Sequence, residues 1–263
     1  MSGMPPLASS PLWLYPVLFL TGLLAGFVDS IAGGGGVITI PVLLNLGMPP
    51  LLALGTNKFQ ASFGSASAVW HYSRAGLIDF RCSRMGVLCT AAGALGGALS
   101  VRSLRPELLR QIIPWLLIAI AAYSLSQPRL GESRAKARMG PGTFHVLFGL
   151  GIGFYDGFFG PGTGTFWAMA YVMMLGLDLQ RATAHTKLMN FTSNLASLGV
   201  FLAWRQVELG AGLAMGLGQI VGARLGSRVV IFRGARWIRP AFVTMALLVT
   251  ARLLWQNLGL GWK

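Results

Sequence analysis

Two stretches decide how this chain reads. They are Gly26-Phe27-Val28-Asp29-Ser30-Ile31-Ala32-Gly33-Gly34-Gly35-Gly36 and Gly153-Phe154-Tyr155-Asp156-Gly157-Phe158-Phe159-Gly160-Pro161-Gly162-Thr163-Gly164. A shift of 127 residues lays Gly26-Phe27 on Gly153-Phe154, Asp29 on Asp156, Gly33 on Gly160 and Gly35 on Gly162. The correspondence continues outward. A shift of 129 lays Leu46-Gly47 on Leu175-Gly176, Ala53 on Ala182 and Lys58 on Lys187, and a shift of 125 lays Gly93 on Gly218 and Gly97-Ala98 on Gly222-Ala223. Glycines are common in the chain, so the paired aspartates and lysines, which are rare residues here, carry the weight. The pattern predicts an internal duplication: a membrane repeat over 1–126, a basic cytoplasmic linker over 127–142 and a second membrane repeat over 143–263.

Composition sets the solvent. Of 263 residues, 54% are apolar and 11% charged, with a mean hydropathy of +0.64. Soluble domains carry about 25% charged residues, so these values argue for a protein embedded in a bilayer. The net charge of +14 would suggest nucleic acid in a soluble protein. Here the basic residues are spread over short loops, where they act as cytoplasmic anchors, and no nucleic-acid partner is expected. Apolar stretches run 12–32, 37–48, 51–73, 84–101, 108–126, 143–159, 164–177, 188–204, 209–226 and 240–260, separated by polar or basic loops. Most reach the ~17–25 residues of a spanning helix. The two short ones, 37–48 and 164–177, each follow a glycine-rich break. Residues 1–11 contain no basic residue, so the first apolar run is expected to be retained rather than cleaved as a secretory signal. Cys82 and Cys89 are the only cysteines, and at about 10 Å apart along one helix they are read as packing residues.

Basic residues also choose the topology. If every break were a plain loop between full crossings, the loops would show no bias of Lys and Arg between the two sides. If each break instead turns a hairpin back to its starting side, the loops at 74–84, 127–142, 178–181 and 227–239 share one side. They hold 12 basic residues, against 5 on the other side. The positive-inside rule favours the hairpins. Each half then begins on one face and ends on the other. The expected fold is an all-α polytopic membrane protein of two inverted repeats, each a glycine-broken helical hairpin plus three spanning helices. Both termini are then periplasmic.

Candidate chemistry gathers at the breaks. A charge at membrane depth costs at least ~2.5–3.5 kcal/mol, so Asp29 and Asp156 should line a cavity or hold partners. Lys58 and Lys187 are the only lysines within apolar segments. Three roles are open for these four residues: the lysines attract an anion, they pair with the aspartates in one transport state, or each Asp–Lys set braces its own half. The aspartates are also candidates for carrying a coupling proton or gating the site. Helices restarting near Val37 and Thr165 would present backbone N–H groups at a positive dipole end, and such ends bind anions. Gly33, Gly34, Gly35, Gly36, Gly160 and Gly162 are therefore candidate substrate contacts, the alternative being tight turns without a ligand. Asn57, Gln60, His185 and Asn190 are candidate hydrogen-bonding partners, although polar residues also join helices in membranes. Gly93–Gly97 and Gly218–Gly222 are spaced for close helix crossing. There is no His-x-x-Glu or His-Glu-x-x-His motif and no carboxylate pair. Neither a metal, a cofactor nor an enzymatic reaction is expected. A secondary transporter of small anions is the function this pattern predicts, with a passive anion channel or a carrier of small organic acids as alternatives.

The same residues resemble a known family. Gly26 to Gly36 followed by Pro41 is similar to the first-half signature of the TauE/SafE (sulfite exporter) family. Ala53-Leu54-Gly55-Thr56-Asn57-Lys58-Phe59-Gln60-Ala61 with Gly64-Ser65 resembles its YfcA-like branch. So do Gly153 to Gly164, Arg181 to Lys187, Asn190 to Asn194 and Gly234 to Pro240. The likeness spans roughly residues 12–256, and Pro161 and Thr163 depart from the family's glycine-rich second signature. It implies a multi-pass permease or exporter of the bacterial inner membrane that moves sulfite, sulfonates or related organosulfur anions.

Overall fold

The structure is a computed structural model that describes residues 12–105 and 137–233 and, between them, 107–109, 112, 113 and 115. Expectations for 1–11, for most of 108–126 and 127–142, and for 234–263 with both chain ends fall outside the described residues. Eight helices are described end to end: α1 (Leu14–Ala32), α2 (Gly35–Asn45), α3 (Pro50–Arg74), α4 (Phe80–Val101), α5 (Pro141–Phe158), α6 (Thr163–Leu175), α7 (Leu179–Ala203) and α8 (Leu209–Arg233), and 107–109, 112, 113 and 115 are helical as well. There is no strand among the described residues.

Local chemistry explains the ends. Pro50 and Pro141 occupy the first turns of α3 and α5, where proline's fixed φ is already helical and its missing N–H is not needed. Asp79 caps α4 by accepting from the N–H groups of Arg81 (2.9 Å) and Cys82 (3.1 Å). Asp178 caps α7 through Arg181 N–H at 2.9 Å, and Glu208 caps α8 through Ala211 N–H at 2.5 Å. These caps lengthen two expected helices. Helix α7 starts at Leu179 rather than near 188, and α8 runs to Arg233 through much of what reads as a basic loop. Their polar and basic side chains do not interrupt a backbone that is capped at its start.

Each glycine break turns its chain back. Leu14 and Leu18 of α1 share a buried cluster with Leu43 and Met48 at the far end of α2. In the second half, Arg138 N–H, just before α5, donates to the carbonyl of Met174 at the end of α6 (2.8 Å). Each short helix therefore ends beside the start of its long partner, as the charge distribution requires of returning hairpins.

The longest contacts are exchanged between halves. Helix α1 packs along α8, and α5 packs along α4. At the first crossing Gly22 and Gly26 face the backbone of Met215 and Gln219, while Gly218, Gly222 and Gly226 face the carbonyls of Phe19, Leu23 and Phe27. At the second, Gly93 and Gly97 face the carbonyls of Leu150 and Phe154, while Gly153 and Gly157 face those of Thr90 and Ala94. No side chain larger than hydrogen fits at such backbone separations. Rising residue numbers run together in both pairs, so each pair is parallel. Helix α3 also runs parallel to α8, with Ser67 Oγ donating to Ile220 O at 3.1 Å. By contrast, Gly55 at the start of α3 lies against Phe201 at the end of α7, and Asp79, after α3, meets His185 near the start of α7. Thus α1, α3 and α8 run one way, and α4, α5 and α7 run the other.

This arrangement sorts charge and polarity. Arg74, Arg81, Arg84, Arg138, Arg181, Arg228 and Arg233 collect at one end of the bundle, and Arg102, Arg105 and Arg205 at the other. The outside of the bundle between those ends is apolar, with Leu24, Leu88, Leu99, Leu147, Leu195 and Leu217 exposed, while Thr56, Asn57, Lys58, Gln60, Lys187 and Asn190 are buried. Polar residues inside and leucines outside reverse the order of a water-soluble protein and suit a helical protein in lipid. Helices α3 and α7 hold 25 residues each, about 37 Å, ample for a bilayer. Their mean apolarity is lowered by the polar side chains they bury.

Candidate functional site

The tips of the two hairpins meet in the middle of the bundle. A Cβ added at Gly33 would sit 2.5 Å from the Cα of Gly164, and one at Gly36 would sit 3.5 Å from the Cα of Pro161. Gly33 and Gly34, at φ 78° and 105°, and Gly160 and Gly162, at φ 97° and 80°, take left-handed conformations that side chains rarely allow. The breaks thus need glycine both for the turn and for the close approach.

The four buried charges pair across this junction. Lys58 Nζ lies 2.6 Å from Asp156 Oδ1, and Lys187 Nζ lies 3.0 Å from Asp29 Oδ2. A brace within each half, one of the readings open from sequence, is not what forms: each lysine reaches the aspartate of the other half. Lys58 also donates to the backbone carbonyl of Asp156 at 2.5 Å. Both lysine side chains are buried, and Asp156 is almost so, whereas Asp29 is 20% exposed. Buried pairs of this kind satisfy charges that neither partner could carry alone.

The aspartates have different second partners. Asp29 Oδ1 accepts from the N–H groups of Gly34 (3.0 Å) and Gly35 (3.1 Å), so the first broken-helix end is closed by the chain's own carboxylate. Pro161 stands at the position equivalent to Gly34 and has no N–H. Asp156 Oδ2 instead accepts from the hydroxyl of Ser193. At the second end Thr163 and Thr165 N–H groups fold back on the carbonyls of Gly160 (3.1 Å) and Gly162 (2.9 Å). Tyr155 OH braces this turn through the Pro161 carbonyl at 2.7 Å.

Between the tips lies a small cavity of about 30 Å³, lined by Asp29, Gly34, Gly35, Gly36, Asn57, Lys58, Asp156, Gly160, Thr163, Gly164, Asn190, Asn194 and Gln219, with Ala61. Asn57 is oriented by its neighbours. Its Oδ1 accepts from Thr39 Oγ1 (2.6 Å) and Gln60 Nε2 (2.8 Å), which leaves its Nδ2 toward the cavity, beside Gly36. Asn190 brings a buried Oδ1 that has no hydrogen-bond partner. Apolar clusters close both ends of this polar centre. Tyr72, Phe144, Trp167, Tyr171 and Leu188 pack toward the basic end, and Val37, Ile40, Leu54, Phe159 and Phe201 toward the other.

Most of the residues singled out from sequence converge here, and five do not line the cavity: Gly33, Gln60, Gly162, His185 and Lys187. Gln60 stands behind Asn57 and accepts from Gln219 Nε2. Gly162 is the left-handed residue before α6. His185 lies toward the basic end, its Nδ1 3.0 Å from Ser83 Oγ. Ser83 donates its own proton to the Asp79 carbonyl at 2.7 Å, and Asp79 N–H approaches His185 Nε2 at 3.5 Å, contacts that suit the Nδ1–H tautomer. Lys187 sits just behind Gly164 and reaches the site through Asp29. The sequence reading missed Thr39 and Gln219. Gln219 carried a usable signal as the one amide side chain in the apolar 209–226 stretch.

The family profile described as sulfite exporter TauE/SafE matches residues 18–253. The probable membrane transporter protein YfcA of Escherichia coli K12 is 44% identical over 250 residues, covering 95% of this chain and 93% of its own. The probable membrane transporter protein ORF9 of Sinorhizobium sp is 46% identical over 241 residues and 92% of each chain. One from Haemophilus influenzae is 42% identical over 249 residues, 95% of this chain and 96% of its own. No solved structure matches at a significant level.

Proposed function

The chain belongs to the TauE/SafE family of membrane transporters, and on that premise we propose that it is a secondary transporter of small anions, with sulfite, sulfonates and related organosulfur anions the favoured substrates. The observation that carries this reading is the pair of Lys–Asp contacts exchanged between the two hairpin tips at the polar centre. Two halves running in opposite directions around such a centre are the arrangement of inverted-repeat carriers. The clustering of arginines at one end supports a cytoplasmic orientation for that end, and the bacterial relatives named as membrane transporters support the inner membrane as the location.

In this mechanism the anion competes with an aspartate for a lysine. Each lysine is neutralised by its aspartate, so a substrate gains a full charge partner only when that carboxylate moves away or takes up a proton. Protonation of Asp156 or Asp29 would release Lys58 or Lys187 to the anion and couple transport to protons. Asn57 Nδ2 and the second broken-helix end add donors. A cavity of about 30 Å³ holds one or two waters, less than a four-atom oxyanion, so loading requires the tips to part. Because each charge pair joins the two halves, loosening a pair and opening the site are one event.

The test follows from the pairing. A single Lys58→Ala change leaves a buried carboxylate uncompensated, so a loss of flux would be confounded with a loss of fold. The double variant Lys58→Ala/Asp156→Ala removes both charges. In proteoliposomes it should remain folded and lose most uptake of sulfite or of the sulfonate that wild type carries. Undiminished flux would sink the site. Wild-type flux that never accumulates substrate against its gradient would favour an anion channel.

A further inference from the structure

We infer that the basic end of the α3–α8 seam, formed by Arg74, Arg224 and Arg228 with Trp70, is a binding site for the phosphate headgroup of an anionic phospholipid.

The register of the seam places these residues together. Ser67 Oγ bonds the carbonyl of Ile220, and because α3 and α8 run parallel, His71 and Arg74 fall one to two turns further on, beside Arg224 and Arg228. His71 is within electrostatic reach of all three arginines. Arg74 lies 4.5 Å over the ring of Trp70, which is 56% exposed. All three arginines are exposed. A guanidinium stacked on tryptophan keeps its N–H fork available to a phosphate.

Depth makes the site necessary. Arg224 is flanked on the outer surface of α8 by Val221 and Leu225, and Phe232, two turns nearer the end, is 81% exposed. An apolar surface therefore continues past Arg224, which puts this cation at the border between hydrocarbon and headgroups. A charge there needs a counter-ion or must snorkel to the headgroups.

Among the described residues, no carboxylate pairs with these arginines. The chain has seven acidic residues. Asp29 and Asp156 hold the buried lysines, Asp79 and Asp178 cap helices with Asp178 beside Arg181, and Glu107 and Glu208 belong to the opposite end of the bundle. Residues 234–263 contain no acidic side chain. Only Glu132, in the linker, is left. Three converging cations beside an exposed aromatic ring, at the headgroup level of the basic end, match an anionic lipid.

The experiment uses the whole protein in mild detergent, with phosphatidylglycerol or phosphatidylcholine added, read by native mass spectrometry and by thermal shift. Phosphatidylglycerol should be retained and raise the Tm by about 2–4 °C, and phosphatidylcholine should do neither. Arg224→Gln/Arg228→Gln should weaken phosphatidylglycerol retention about thirty-fold, the loss of two headgroup-facing cations. Arg102→Gln/Arg205→Gln at the opposite end should leave retention unchanged, which separates a site from general attraction. Equal retention of phosphatidylcholine, full retention by Arg224→Gln/Arg228→Gln, or a shift reproduced by inorganic phosphate alone would each overturn the assignment.

Discussion

The two breaks occupy equivalent places in the two halves, yet their chemistry differs. At the first, Asp29 spends one carboxylate oxygen on the amides of Gly34 and Gly35 and the other on Lys187. At the second, Pro161 replaces the glycine whose amide would do the same, and Asp156 turns to Lys58 and Ser193. The first helix end is therefore capped by a carboxylate of its own hairpin, and the second is not. Exposure follows the same division: Asp29 is 20% exposed, whereas Asp156 lies sealed with a lysine that is itself buried. The two breaks share the left-handed glycine turn but differ in what their aspartates hold. Under the proposed function the first is a fixed post, and the second is the end where an anion would meet backbone amides.

If that division is right, the two lysines are not equivalent. Lys58→Ala strands Asp156 with only a hydroxyl for a partner and should cost about 3–5 kcal/mol. Lys187→Ala leaves Asp29 with two backbone donors and some access to water, and its cost should be smaller by about 1.5–3 kcal/mol, the worth of a hydrogen bond to a charged group. Thermal unfolding of both variants in one detergent measures the difference. Equal destabilisation would mean that the amides at the first break contribute little.

Removing the caps sharpens the contrast. Asp29→Ala in a Lys187→Ala background deletes a helix cap and should cost about 1 kcal/mol beyond the Lys187 change. Asp156→Ala in a Lys58→Ala background deletes no cap and should recover stability, because it removes a stranded charge. The two double variants should thus move in opposite directions from their single parents. Movement in the same direction would erase the distinction between the two breaks.

Why the pairing escaped the sequence while the residues did not is a question of what periodicity records. Asp29, Asp156, Lys58 and Lys187 stand out as isolated charges in apolar segments, and the returning hairpins follow from the distribution of arginines. A repeat, however, aligns each residue with its equivalent and says nothing of its partner. The partner is set by how the halves meet, which depends on the glycine crossings of α1 on α8 and α4 on α5. His185 shows the same limit at shorter range. It is two residues from Lys187, and side chains two apart on a helix point to different faces, so sequence proximity placed it at the cavity and the fold took it to Ser83. Gln60, three residues from Asn57, shares its face and meets Asn57 itself instead of the cavity.

The gentlest test changes a single backbone donor. Pro161→Gly restores the N–H that residue 34 has at the first break, without adding or removing charge. Its direct cost through the freer unfolded chain should be only about 0.4–1 kcal/mol. With that amide in place, Asp156 can cap its own hairpin as Asp29 does. Lys58 would remain paired, and an anion would face two occupied helix ends instead of one. Transport should then fall several-fold with little change in Tm, chiefly as a higher half-saturation concentration, because the substrate must displace a better-held carboxylate. The reverse change, Gly34→Pro, is no counterpart: residue 34 sits at φ 105°, which proline's ring forbids, so it should unfold the turn. If Pro161→Gly leaves uptake at wild-type levels across the substrate range, the missing amide is not what distinguishes the second break, and the role assigned to its helix end fails with it.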